Sequence, residues 1–469
     1  MSAPFEPKMD RPRRFLVRGE GERAFTLVEL TIALLAGLIV AMGIVSLSRE
    51  ATNTFHEEAR GSAAEAALRT AMDRLRADVQ RAGYMSTGNI LWDPNLTHAP
   101  VPPGTAPGLP TVLGMTGVAA IQSLGSILLT KGGSGGTVTP LSAKQTPALA
   151  PDKIQITGNM TVADQFDVAM IEQGKPKCRH FYLSPTAPAL YRLLMASDGG
   201  SPAELTNVFV PSAGGAQFIV RLVDTSGHAQ FLATCADDPA GIDANGPYVA
   251  TDEGSTPLID ANAAGTLAGP KGYCAGKCWI NPVQIVQWEL VAANATSAPN
   301  EPNPDTQMLG RQSTGTVTDP NKYDLLRSYV DASGNVVADT REVVAEYAVD
   351  LSFAFSVDQG TAGAPAISIF GLDDPVNNGA WAPAVSKTQP TPGPQRIRSV
   401  QVRLATRTAQ ADRTVDITPL PANYGAQTFI YRYCMTETCN TYSPGTPQWA
   451  RVRTLTTEVS LPNQSRNFY

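Results

Sequence analysis

At 469 residues with 43% apolar side chains, the chain can bury a sizeable core and is longer than one typical domain needs. A formal net charge of −6, with no long basic run in the body, argues against nucleic-acid binding through bulk charge. With Gly 40 and Pro 37, the composition argues against a mostly helical protein and fits a strand-based, loop-rich one.

Residues 1–24 carry Lys8, Arg11, Arg13, Arg14, Arg18 and Arg23 against Glu6, Asp10, Glu20 and Glu22, a net of +2. An apolar run follows abruptly from Phe25 to Leu47, and its one charge is Glu29. At about 1.5 Å per residue it is long enough to cross a hydrocarbon core of about 30 Å. Basic residues before such a run stay cytoplasmic, which puts the body on the other side. A secretory signal peptide cut after Ser48 is one reading, since Ser46-Leu47-Ser48 supplies small residues. A plain anchor is another. Neither accounts for Glu29, because an ionised carboxylate in hydrocarbon is costly.

Ala24-Phe25-Thr26-Leu27-Val28-Glu29-Leu30 resembles the processing site of type IV prepilins and the related pseudopilins. The resemblance implies that a prepilin peptidase cuts between Ala24 and Phe25 and then N-methylates Phe25. Ala24 stands where that family usually has glycine, and Gly19 and Gly21 lie too far upstream to replace it. Glu29 falls at the fifth mature position. One helical turn from the new amine, its carboxylate can pair with that amine or with a neighbour's. Until assembly it is expected to stay near the interface or partly unsatisfied.

Residues 48–84 read as an amphipathic helix that continues the apolar one. Ala64, Leu68, Ala71, Leu75 and Val79 recur at helical spacing, with Ala67, Met72 and Ala82 nearby. Glu65, Arg69, Asp73, Arg74, Arg76, Asp78 and Arg81 are assigned to the other face. Gly61 is a weak point that allows a bend, and Gly83 is a natural stop. The end of the helix, LRADVQRAGY, resembles PilW-type minor pilins.

Beyond residue 85, Pro, Gly, Ser and Thr punctuate short alternating runs. Strands are expected at Phe218–Leu222, Val286–Leu290, Val349–Val357, Ile397–Leu404 and Leu455–Leu461. The predicted class is α+β: a long N-terminal helix packed on an antiparallel β-sheet head, type IV pilin-like. Tyr323–Tyr329, the turn at Asp331–Gly334 and the last three of those strands follow an order similar to PilW-type chains. Phe181–Leu183 and Leu190–Arg192 loosely resemble an early strand pair of that family. Stretches 94–117, 131–151, 236–270 and 295–320 read as long loops. The head, residues 85–469, can divide into two subdomains near 200–280.

Six cysteines, Cys178, Cys235, Cys274, Cys278, Cys434 and Cys439, all follow the apolar run. An even number there suits disulfides in an oxidising compartment, and sequence does not choose the pairing. Their C-x3-C and C-x4-C spacings lack the usual zinc knuckle. Gly132–Gly136 satisfies G-x-S-x-G but has no helix after it. His56-Glu57-Glu58 is not H-E-x-x-H, because Arg60 stands where the second His belongs. His180, two residues from Cys178, reads as a strand residue or, less readily, a ligand, and Asp331–Gly334 and Asp358–Gly360 read as turns without calcium-loop spacing. No catalytic residue, metal or cofactor is expected.

The resemblance therefore implies a structural subunit, a PilW-like minor pilin that primes type IV pilus assembly and sits at or near the tip. It would support adhesion and twitching motility. Its head is large for a bulk filament subunit. Implied partners are other minor pilins, the major pilin, the prepilin peptidase, the inner-membrane assembly machinery and a tip adhesin, with no nucleic acid. The implied location is the bacterial inner membrane with the head in the periplasm, then the cell surface. The rivals are a type II secretion pseudopilin and a membrane-anchored extracytoplasmic enzyme or binding protein.

Overall fold

The computed structural model describes residues 26–96, 120–132, 151–173, 178–196, 202–212, 214–252, 277–292, 296–297, 301–302, 322–360, 364–372, 393–411, 432–435 and 449–464. Helix α1 runs Leu27–Gln80. The chain divides into two units, Met1–Ala59 and Arg60–Tyr469. The α+β class holds, and strands dominate the described residues after α1.

In the second unit the strands are β1 Ile127–Thr130, β2 Lys153–Gly158, β3 Phe166–Gln173, β4 Cys178–Leu183, β5 Ile219–Asp224 and β6 Ala229–Ala233. Next come β7 Ala240–Asp243, β8 Gly246–Asp252, β9 Cys278–Ala292, β10 Thr296–Ser297, β11 Glu301–Pro302, β12 Tyr323–Val330 and β13 Glu342–Ala345. The last are β14 Ala348–Asp358, β15 Ile367–Phe370, β16 Ile397–Arg407, β17 Arg432–Cys434 and β18 Trp449–Ser460. The first sheet has the path β1-β2-β9-β3-β4-β8-β7, with β5 and β12 on the other edge of β9. The second has the order β15-β14-β16-β18-β17.

The 15-residue β9 organises the first sheet. Its first part pairs with β3 through Ile280 and its later part with β2 from Gln284 onward. Pro282 falls between these two pairings, where the absence of an N–H does least harm to a ladder. All five expected strands lie within β5, β9, β14, β16 and β18, give or take a terminal residue.

Up to its end at Gln80, α1 buries Leu68, Ala71, Met72, Leu75 and Val79 against both sheets, joined by Ala82 just after it. Trp288 and Val286 of β9, Ile154 and Ile156 of β2, and Phe353, Phe355, Val402 and Leu404 of β14 and β16 complete this core. Alternation along each strand brings these side chains to one face. Helix α1 continues through Gly61, which is buried. Gly83 has φ +72° and its N–H donates to Thr157 O at 2.8 Å, so the glycine stop also docks the helix end on β2. Gly158 beside it has no room for a Cβ, because the Arg81 carbonyl occupies that space.

Asp78 corrects the assignment of charges to the outer face. It lies beside Leu75 and Val79 on the inner stripe and is buried. Its Oδ2 accepts hydrogen bonds from Trp288 Nε1 at 3.0 Å and Arg327 Nε at 2.8 Å. The Arg327 guanidinium also lies 4.9 Å from the Tyr329 ring. Burial pulls the Arg327 pKa down, but hydrogen bonding to Asp78 and its charge leave it raised overall.

Two short helices were not expected. Helix α2, Pro188–Ala196, contains Leu190-Tyr191-Arg192, so the proposed second strand of the early pair is helical. Helix α3 is Pro202–Phe209. Proline fits the first turn of each, where its missing N–H costs nothing. Leu190, Leu205 and Phe209 bury against Phe166, Phe181 and Leu222 in a second core. Part of the expected 236–270 loop is the β7–β8 hairpin, closed by Gly246 at φ +122° with Asn245 N donating to Asp243 Oδ1.

Candidate functional site

Ala24 and Phe25 lie outside the described residues; Thr26 and Glu29 do not. Glu29 Oε2 accepts from Thr26 N at 3.0 Å and from Thr26 Oγ1 at 2.9 Å. Glu29 N donates back to Thr26 Oγ1 at 3.3 Å. This is a reciprocal capping box, in which the side chains at the two ends of T-x-x-E satisfy donors that the first turn leaves open. In the single chain Glu29 thus caps its own helix. Thr26 was missed as a functional residue, although T-x-x-E directly before an apolar run is a sequence signature of this cap.

The helix behind this cap is long and apolar enough to cross a membrane. Leu27 is 79% exposed, Leu34 65% and Val45 67%, so this surface is left for lipid or other helices. Polar and charged residues take over from Ser48, and Phe55 is the remaining large apolar side chain exposed on α1.

In the second unit, Cys178 on β4 and Cys235 after β6 form a disulfide with Cα atoms 5.7 Å apart. Cys278 at the start of β9 is also disulfide-bonded. Cys434 lies in β17, and Cys274 and Cys439 are outside the described residues. His180 is a buried residue of β4, stacked on Tyr248 with centroids 4.1 Å apart. Tyr248 Oη donates to Asp238 and Tyr182 Oη to Asp243. Burial and the nearby carboxylates raise the pKa of both phenols, so these hydroxyls stay donors. His56, Glu57 and Glu58 lie on α1. Among the described residues, no three His, Cys, Asp or Glu side chains are grouped to hold a metal ion. The Gly132–Gly136 turn lies outside them after Gly132, while Ile127–Thr130 before it is strand β1.

A groove of about 450 Å³ separates α1 from the β13 edge. Ala63, Ala64 and Ala67 line one wall and Val343, Val344 and Tyr347 the other. Elsewhere, Asp152 ties the loop after β1 to β14: it accepts from Gly132 N and Phe353 N and pairs with Lys131 at 3.0 Å. Burial raises its pKa against the pull of Lys131 and those N–H groups. A raised folded pKa favours the fold below the ordinary carboxylate range, an effect lost as pH rises through the folded value.

Comparison with known proteins finds no matching protein-family model, no matching curated protein and no matching solved structure.

Proposed function

We propose that this chain is an assembly subunit processed as a type IV prepilin, specifically a PilW-like minor pilin that primes pilus assembly at or near the tip. The observation that carries the reading is the junction itself. A basic leader and Ala24-Phe25 precede a helix that opens with Thr26-x-x-Glu29 and then presents an exposed apolar surface to Leu47.

In this reading the leader is removed at Ala24/Phe25 and the new amine of Phe25 is methylated by the prepilin peptidase. The apolar helix holds the chain in the inner membrane until it packs among the helices of other pilins. Glu29 then exchanges its own cap for a neighbour's amine, a pairing that offsets burial of both charges inside a bundle. The β-rich head supplies surface for other minor pilins and a tip adhesin. It performs no catalysis.

The test is recovery of the chain in filaments sheared from cells. A tagged chain is expected in the sheared fraction at low abundance relative to the major pilin. Its absence from sheared pili, with normal piliation after its deletion, overturns the pilus role. Loss of type II secretion in the same deletion assigns it to the secretion pseudopilins instead.

A further inference from the structure

Lys322, immediately before β12, is 1% exposed, and Asp324 two residues on is fully buried. Alternation along the strand puts both side chains on one face. Lys322 Nζ is 3.0 Å from Asp324 Oδ2 and 3.5 Å from Glu346 Oε2. Apart from these charge contacts, neither Nζ nor Oδ2 has a hydrogen-bond partner among the described residues. Such a pair is unusual, because buried polar groups are normally satisfied. The other carboxylate oxygen, Oδ1, is fixed by Tyr347 N at 3.1 Å. Antiparallel pairing of Leu325 with Ala345 brings Glu346 to the same corner. The Tyr347 ring covers it, with Lys322 Nζ 5.2 Å from its centroid and the Arg407 guanidinium 4.9 Å from it. Tyr347 itself has φ +55°, a left-handed conformation that a non-glycine residue adopts at a cost and that recurs at functional sites.

We propose that Lys322 and Asp324 condense into an intrachain isopeptide bond, with Glu346 as the group that moves protons. Burial, chiefly, raises the Asp324 pKa, opposed by Lys322 and the Tyr347 N–H and reinforced by Glu346, which favours the neutral, electrophilic carboxylic acid. Glu346 is 42% exposed at its side chain, so it can exchange protons with water while its two partners cannot.

Glu346 takes a proton from the Lys322 ammonium and passes it to solvent. The neutral amine attacks Asp324 Cγ and the N–Cγ bond forms. A second amine proton passes through Glu346 to the hydroxyl of the tetrahedral adduct. The Cγ–O bond breaks, water leaves, and the carbonyl re-forms. An ammonium and a carboxylic acid become an amide, a water and a released proton, with no change of oxidation state. The product removes two ionisable groups from a buried corner where holding them charged is costly.

The test is mass spectrometry of the purified, reduced full chain. The expected intact mass is one water below that calculated for the chain with its observed N-terminus, whether that is Met1 in cells without a prepilin peptidase or methylated Phe25 in cells with one. Trypsin is expected not to cut after Lys322, so residues 312–327 emerge as one peptide, one water lighter. A succinimide at Asp324 gives the same mass loss but leaves the Lys322 cut open, and that result overturns the proposal. So do unshifted peptides 312–322 and 323–327 from folded protein. Lys322→Arg is expected to restore the full mass. Glu346→Gln, at a half-exposed position that spares the fold, is expected to slow bond formation at least about tenfold, as loss of a proton-transfer group does.

Discussion

Asp78→Ala is expected to lower the unfolding free energy of the detergent-solubilised chain by about 3–5 kcal/mol, because it leaves a buried guanidinium without its counter-charge. Asp78 is a buried polar link between α1 and the first sheet: one carboxylate oxygen serves both Trp288 and Arg327. Removing it strands the indole N–H as well, and a buried donor left unpaired adds its own desolvation cost. Asp78→Asn keeps the shape and one acceptor, so its loss is expected to be smaller. Adding Arg327→Met to Asp78→Ala is expected to recover part of the loss, since the stranded charge is gone. Denaturant titration followed by tryptophan fluorescence reads all three. A loss under about 1 kcal/mol for Asp78→Ala, typical of an exposed pair, contradicts the account.

Glu29→Leu is expected to leave the head folded and the chain in the membrane, while its recovery in sheared filaments falls at least about tenfold, a difference of ~1.4 kcal/mol. The substitution makes the apolar run more apolar, so an anchoring role predicts unchanged or stronger membrane retention. An assembly role predicts loss of filament incorporation, because the neighbour's amine loses its counter-charge. Thr26→Val separates capping from assembly. It removes the Thr26 hydroxyl but leaves the Glu29 carboxylate and the Thr26-position backbone N–H. Its effect on incorporation is expected to be weaker than that of Glu29→Leu. Equal incorporation of Glu29→Leu and the unaltered chain contradicts the proposed role of this charge.

Long periodic signals were legible in the sequence. The apolar run, the Leu68–Val79 stripe and the alternating runs of β14 and β16 each repeat over enough residues to define a face. Short or mixed signals were not. Helices α2 and α3 are nine and eight residues long, too short for a clear helical period, and their start signals were single prolines. The β7–β8 hairpin was hidden in glycine-rich, polar sequence that reads equally well as a loop. Asp78 was misplaced because its type suggests a solvated face while its position, three residues after Leu75, puts it inside. At the junction, the charge of Glu29 was visible and its meaning as a cap partner was carried by Thr26, three residues earlier. The Lys322, Asp324 and Glu346 corner depends on strand pairing across β12 and β13, which no local pattern announces.

The most direct measurement is the mass of the mature N-terminus in cells that contain a prepilin peptidase. The account predicts a chain that begins at Phe25 and carries one methyl group on its amine. A chain beginning at Arg49, as a secretory signal peptide cut after Ser48 leaves it, or one still carrying Met1, contradicts it.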